Sequence, residues 1–454
     1  MKKISLLLTF VLVMALAVPA FAAEDNVKIT GEVETVFEIG HYGGESDDVT
    51  AELWADGDAL DIDLPVVGDN KDSDDFPAER AFYQTIGLNI TGNVDNINFD
   101  LAVDTITNSF AEATRVPYSN TGYDLGENDD TNAFKMDTAL LTITKGVSTL
   151  KAGDFADYDV DSYFIDEEDM EGVEVSTTIA DYDVRAFVVG EDSDKGDDYY
   201  GVSATKNFAN GSYTGKLYHA RAEEKLTDLA VAATYDVNEL FTVNGEVVVN
   251  SSKDQADETE SDSLINLGAK YKATDVVTVR GEFETVGDKF KAAPQADLEE
   301  DNDYTKFNLG SDFALNANNT LKADYTVVDY ADNSEKKNTI ELALDNTTGA
   351  FTNTASVEFT TNDNYKENTD VTVLTLGTEY AMSDISTVNA KLVNKSTDKA
   401  HDDGDLSYTY LVAGLNQKLS DNISWNTEAQ FITGEKNNVD GEGNSVKTKL
   451  TVSF

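Results

Sequence analysis

Carboxylates dominate the residues able to do chemistry: 86 Asp and Glu stand against 33 Lys and Arg, 3 His and no Cys. Without cysteine there are no disulfides, no thiolate metal ligands and no cysteine nucleophile. His41, His219 and His401 lie far apart in sequence, so neither a histidine-rich metal centre nor a serine triad is indicated. Paired carboxylates suit general acid–base work, yet in so acidic a chain any pair is expected by chance. The oxygen-rich segments Asp69–Asp75 and Asn438–Asn444 offer calcium-type ligands, but neither has the spacing of a calcium loop, and solvated loops are the plainer reading. No glycine-rich cradle leads from a strand into a helix to hold a phosphate. The expectation is a protein that is not an enzyme and carries no cofactor.

The net charge of −53 excludes a nucleic-acid partner, which would need a basic surface. Two readings of the acidity stay open. Acidic loops set up a field that gathers cations, or the whole chain is adapted to salty surroundings that screen its self-repulsion.

These side chains hang on one kind of element. From Val27 onward, apolar and polar residues alternate with a period of two, as in Val277–Phe283, Leu321–Val327, Val388–Leu392 and Ile423–Phe431. That pattern is a strand with one greasy and one wet face. No stretch reads as a convincing amphipathic helix. About 22 strands are expected, any even number from 16 to 22 being compatible with the pattern. Short links such as Asn93–Asn96, Gly146–Ser148, Asn316–Asn319 and Ser420–Asn422 alternate with long ones such as His41–Glu79, Asn108–Ala133, Ser251–Asp262 and Gly287–Asp303. Short turns at one end, long polar loops at the other and an even strand count describe an all-β, transmembrane, antiparallel up-and-down β-barrel with its short turns in the periplasm. A soluble β-sandwich is the rival, since it buries one parity in the same way.

Residues 1–23 have the layout of a cleaved secretory signal: Lys2 and Lys3, an apolar run from Ile4 to Val18, then small residues to Ala23. No other long apolar run follows, so an integral membrane protein has to cross with strands. Residues 24–454 are then a single barrel domain. Its first strand begins within a few residues of the cleavage site and leaves no room for the globular plug of an active transporter.

The end of the chain, Val446-Lys447-Thr448-Lys449-Leu450-Thr451-Val452-Ser453-Phe454, alternates and finishes on an aromatic residue. It resembles the closing strand of bacterial outer-membrane proteins, whose terminal Phe is read by the barrel-insertion machinery; the resemblance gives Phe454 that role. Leu141–Asp154 and Glu171–Val175 are similar to the hairpin of general diffusion porins that brackets their inward-folded third loop. The loop between them, Ala156–Asp169, lacks the Pro-Glu-Phe-Gly segment typical of that family. The resemblance implies an acidic constriction formed by Asp157, Asp159, Asp161, Asp166, Glu167, Glu168 and Asp169, facing basic wall residues. An ordinary surface loop is the alternative.

Parity assigns that wall. With Val184, Ala186 and Val188 facing lipid, Arg185 faces the lumen; by the same rule Lys151, Arg280, Lys322, Lys391, Lys447 and Lys449 do too. A charge on the lipid face costs about 2–4 kcal/mol near the midplane. Trp425 and Phe431 on the apolar parity suit an aromatic girdle.

The porin resemblance implies an outer-membrane location in a diderm bacterium and a water-filled channel for passive diffusion of ions and small hydrophilic solutes. Acidic mouths make it cation-preferring, and trimers are expected by analogy. Outer-membrane lipid, the insertion machinery and the solutes are the expected partners. The alternative is a non-conducting structural or adhesive surface protein with acidic loops.

Overall fold

The computed structural model describes residues 27–58, 60, 62, 65, 80–94, 96–108, 135–166, 168–191, 197–221, 225–253, 259–293, 296, 298–299, 303–331, 335–363, 369–399 and 405–454. The expected signal segment, Asp69–Asp75, most of the 108–133 link, His401 and Glu167 lie outside them.

The strands in the first half are β1 (Val27–Gly44), β2 (Arg80–Val94), β3 (Ile97–Asn108), β4 (Lys135–Lys145), β5 (Ser148–Tyr158), β6 (Glu168–Ile179), β7 (Tyr182–Gly190), β8 (Asp198–Phe208), β9 (Gly211–Arg221), β10 (Lys225–Asn238) and β11 (Phe241–Lys253). They continue as β12 (Thr259–Lys272), β13 (Val277–Val286), β14 (Tyr304–Asn316), β15 (Asn319–Tyr330), β16 (Glu335–Thr348) and β17 (Phe351–Asp363). The last five are β18 (Thr369–Ser383), β19 (Ser386–Lys399), β20 (Leu406–Ser420), β21 (Ile423–Lys436) and β22 (Val439–Ser453). Each pairs antiparallel with its neighbours in sequence, and β1 pairs with β22, so the 22-stranded sheet closes on itself. Closure leaves no unpaired edge, the condition for crossing lipid with strands. Gly31 and Phe454 seal the seam by exchanging backbone hydrogen bonds of 3.0 and 2.9 Å.

Directly opposed residues share a face, so register identifies the two surfaces. Leu217 faces Leu229, and Val231 faces Val247, which in turn faces Ile265. Leu229 and Val231 are 60% and 57% exposed, a level of apolar exposure that only a hydrocarbon surround stabilises over so wide a belt. Near the short turns this outer face carries ring pairs, Phe208 with Tyr235, Phe241 with Tyr271 and Phe351 with Tyr380, an aromatic belt at one membrane boundary. Trp425 opposes Leu450 on the same face.

The other parity faces the lumen. Arg185, Arg280, Lys322, Lys391 and Lys449 bond to lumenal carboxylates or loop carbonyls. Lys151 shares their face, opposite Glu174, and Lys447 sits between Glu38 and Glu428.

One element departs from the expectation of strands alone: helix α1 (Asp47–Asp58) stands in the β1–β2 link. Ser46 caps it through its hydroxyl, which accepts from Val49 N at 3.4 Å, and Asp48 lies at the positive end of its dipole. Its apolar stripe is Val49, the small Ala51, Leu53 and Trp54, too short to stand out by periodicity. Leu53 and Trp54 are fully buried among Tyr42, Val393, Tyr408, Tyr410 and Ile432, all on the lumen parity, so α1 lies inside the barrel.

Several strands run longer than their sequence pattern. The link before β22 shrinks to Asn437 and Asn438, both with positive φ (52° and 61°), the backbone of a tight hairpin turn. Residues 439–444 are therefore strand and not a solvated loop. His41 likewise belongs to β1.

Candidate functional site

β5 leaves the wall through backbone that only special residues permit. Gly153 and Gly172 oppose each other across β5 and β6 with φ of +127° and +155°. A Cβ on Gly153 would lie 1.9 Å from the Ala139 carbonyl oxygen, so the β4 backbone occupies the space a side chain needs. Register then slips between Phe155 and Tyr158, with Asp157 at φ +50°, a bulge that turns the chain inward.

Residues 159–166 fold onto the lumen face. Tyr163 N donates to Asp161 Oδ1 at 3.1 Å, and Phe164 N and Ile165 N both donate to the Asp161 carbonyl at 2.9 Å, which closes a compact turn. This turn presents Phe164 and Ile165 to Phe187, Tyr199, Tyr218, Ala220 and Leu226. Phe164 stacks on Tyr218 with ring centroids 4.9 Å apart and meets Tyr199 edge-on at 5.7 Å. All these wall residues belong to the parity opposite Val188 and Leu217, so the loop is inside the barrel, reaching from β6 to β13.

Polar contacts pin it there. Lys216 Nζ lies 2.6 Å from Asp161 and 2.7 Å from Glu246, and the three side chains are 11%, 5% and 14% exposed. Arg185 donates to Glu174 at 2.6 Å and to the Asp159 carbonyl at 2.8 Å, with its guanidinium 5.0 Å from the Tyr158 ring centre. Tyr158 donates to the same Glu174 oxygen at 3.0 Å. Tyr163 spans to β13, where its hydroxyl donates to Glu284 at 2.7 Å.

Of the sequence-predicted constriction residues, the structure brings together Asp159, Asp161 and Arg185. Asp166 follows them in the loop, half-buried. Asp157, Glu168 and Asp169 fall in strands rather than in the loop; Asp157 N donates to Asp169 at 3.4 Å. The loop proper is thus shorter than Ala156–Asp169 because the ladder extends over both of its ends. Arg280 stands apart, bonded to Asp312 at 2.9 Å and Asp324 at 2.6 Å. Lys216, Glu246 and Glu284 join the site without any motif to mark them, although alternation alone puts them on the lumen face.

The β13–β14 link also folds inward. Phe290 is buried with Leu264, Val328, Tyr304 and Tyr330, while the Asn250 side-chain amide donates to the Lys291 carbonyl at 3.1 Å and accepts from Lys291 N at 3.2 Å. A polar cavity of about 460 Å³ separates this link from Tyr163, with Glu282, Glu284 and Glu299 on its walls. Glu299 bonds to Lys306 at 3.1 Å, Lys337 at 3.4 Å and the Tyr330 hydroxyl at 3.1 Å. Burial pushes the Glu299 carboxyl up, but Lys337 and Lys306 outweigh it and hold the group below its ordinary range. A depressed carboxyl supports the fold above its unfolded pKa, about 4.3, and that support fades as pH falls through the lower folded value. The link should therefore loosen in acid below about pH 4, and Glu299→Gln should remove that dependence. Limited proteolysis across a pH series checks it: equal cleavage of both chains at every pH contradicts the assignment.

No group of His, Asp and Glu among the described residues is arranged to hold a metal. No family model matches the chain, and no curated protein matches it. Solved structures do. An E. coli P pilus tip assembly intermediate, PapC-PapD-PapK-PapG, is 9% identical with a TM-score of 0.50, covering 94% of this chain and 61% of that one. The P pilus usher (PapC) translocation pore is 10% identical (TM-score 0.46, 93% and 99% covered). Pseudomonas aeruginosa OccK5 (OpdH) is 8% identical (TM-score 0.43, 94% and 98%). At such identities the likeness carries the fold alone: a large, closed, antiparallel β-barrel.

Proposed function

We propose that this chain is an outer-membrane porin, a water-filled channel through which ions and small hydrophilic solutes diffuse passively. The observation that carries the reading is a closed 22-stranded barrel whose lumen face is polar and charged, narrowed by a chain segment folded onto that face. In this reading Asp159, Asp161 and Asp166 belong to the constriction with Arg185, while Lys151 and Arg280 line the lumen beyond it. Residues 1–23 direct export, residues 24–454 form the one barrel domain, and Phe454 presents the insertion signal. A homotrimer is the assembly expected by analogy with porins.

We assign the channel a preference for cations, because carboxylates outnumber basic groups in the chain and crowd its links. Arg280 is the counterweight in the wall. Changing it to Ser exposes Asp312 and Asp324 without their cation, so the reversal potential in a tenfold salt gradient should move several millivolts further toward the cation limit of about 59 mV. Arg185→Ser should act in the same direction. Reversal potentials unchanged in both variants would remove these arginines from selectivity. Liposomes loaded with the protein should also swell in small sugars, and failure to swell would favour the non-conducting surface protein.

A further inference from the structure

The inward loop is one side of the lumen only. Its wall runs from β6 to β13, centred near β9 and β10. Helix α1 stands against β1 and β19–β22, roughly half of the 22-strand ring away. Both elements lie toward the long-link end of the barrel. α1 packs on Tyr408 and Tyr410 at the start of β20, and the loop packs on Tyr199 at the start of β8.

α1 too is pinned by polar contacts. Lys395 Nζ bonds Asp56 at 2.8 Å, Lys391 Nζ donates to the Leu60 carbonyl at 2.9 Å, and Lys436 pairs with Glu52 at 2.5 Å. Thr50 Oγ1 donates to the Gly43 and Glu442 carbonyls at 3.0 and 3.2 Å. Trp54 meets Tyr410 edge-on with centroids 5.7 Å apart. With that face buried on the wall, the exposed residues Asp48 and Ala55 are turned away from it, into the lumen, while the exposed Glu52 between them reaches back to Lys436.

We infer that α1 is the second jaw of the constriction, facing the β5–β6 loop across the passage, and that Asp48 and the Lys436-paired Glu52 put charge on its border that biases the ions passing. The inference rests on the channel reading above. It makes the selectivity of the pore a property of two elements, of which only one was visible in the sequence.

The chain holds no cysteine, so one introduced thiol is a unique probe. Ala55→Cys, at an exposed position of α1, is reacted with cationic or anionic methanethiosulfonate reagents of equal size while single channels are recorded. Ala350→Cys, in a short turn at the other end, serves as control. The expected result is current reduced to half or less once the α1 thiol has reacted, with the two reagents moving the reversal potential in opposite directions. The control thiol in the short turn should show no such effect. Glu52→Cys repeats the test one turn away. Complete labelling by intact mass with unchanged current and selectivity in a conducting channel overturns the jaw alone. A wild-type barrel that inserts and never conducts overturns channel and jaw together.

Discussion

Lys216→Met should release the β5–β6 loop from the lumen wall while the barrel itself stays closed. The lysine is the sole cation bonded to both Asp161 and Glu246 among the described contacts, at 2.6 and 2.7 Å, and all three groups are largely shielded from water. Removing one partner of a buried ion pair costs about 3–5 kcal/mol, because the remaining charges stay behind without compensation. Here two carboxylates are left facing each other. The loop can escape that cost by swinging Asp161 into water, opposed by the packing of Phe164 and Ile165 and by the hydrogen bonds of Arg185 to Asp159 and of Tyr163 to Glu284. The 22-strand ladder does not depend on the lysine, so heat-modifiable mobility on gels should persist. Single-channel conductance should rise, and protease should cut within residues 159–167. A variant with unaltered conductance and an uncut loop would show that packing and the Arg185 and Tyr163 hydrogen bonds, rather than the Lys216 pair, hold the loop.

Trp54→Ala is the second large effect. The ring is fully buried among Tyr408, Tyr410 and Ile432, and removing a buried Trp costs about 3–5 kcal/mol through lost transfer energy and the cavity left behind. The indole Nε1 has no hydrogen-bond partner among the described residues, which offsets part of what the ring contributes. Trp54→Phe removes that unpaired donor and keeps most of the packing, so it should cost far less. The measurement is extracellular protease cleavage of the β1–β2 link: rapid for Trp54→Ala, near wild type for Trp54→Phe. Equal resistance of both variants would mean that Lys395, Lys391 and Lys436 alone secure α1.

The barrel was legible because its physics is periodic. One parity must meet lipid and the other water, so Leu229, Val231 and Val247 announce the outer face and Arg185 and Lys216 the inner. Strand number follows from counting such segments, whereas the inward hairpin was indicated only by the resemblance of Leu141–Asp154 to a porin hairpin, with a surface loop as the alternative. What stayed hidden was local and aperiodic. Helix α1 has three apolar anchors in twelve residues, flanked by acids, and its stability comes from docking on Tyr408 and Tyr410, which are remote in sequence. Ion-pair partners were hidden for the same reason: parity says that Lys216 faces the lumen, but only the folded ring brings Asp161 to it. The long links misled in extent, because ladders such as β21–β22 continue past the point where apolar alternation stops; backbone bonding needs no apolar side chains.

The central claim is that the lumen conducts. Its most direct test is a planar bilayer recording of the refolded mature chain under a salt gradient. Stable unitary steps with a reversal potential on the cation side are the expected result. A protein that inserts, shown by protease protection of the barrel, yet passes no ions would contradict it and leave a closed, non-conducting surface barrel.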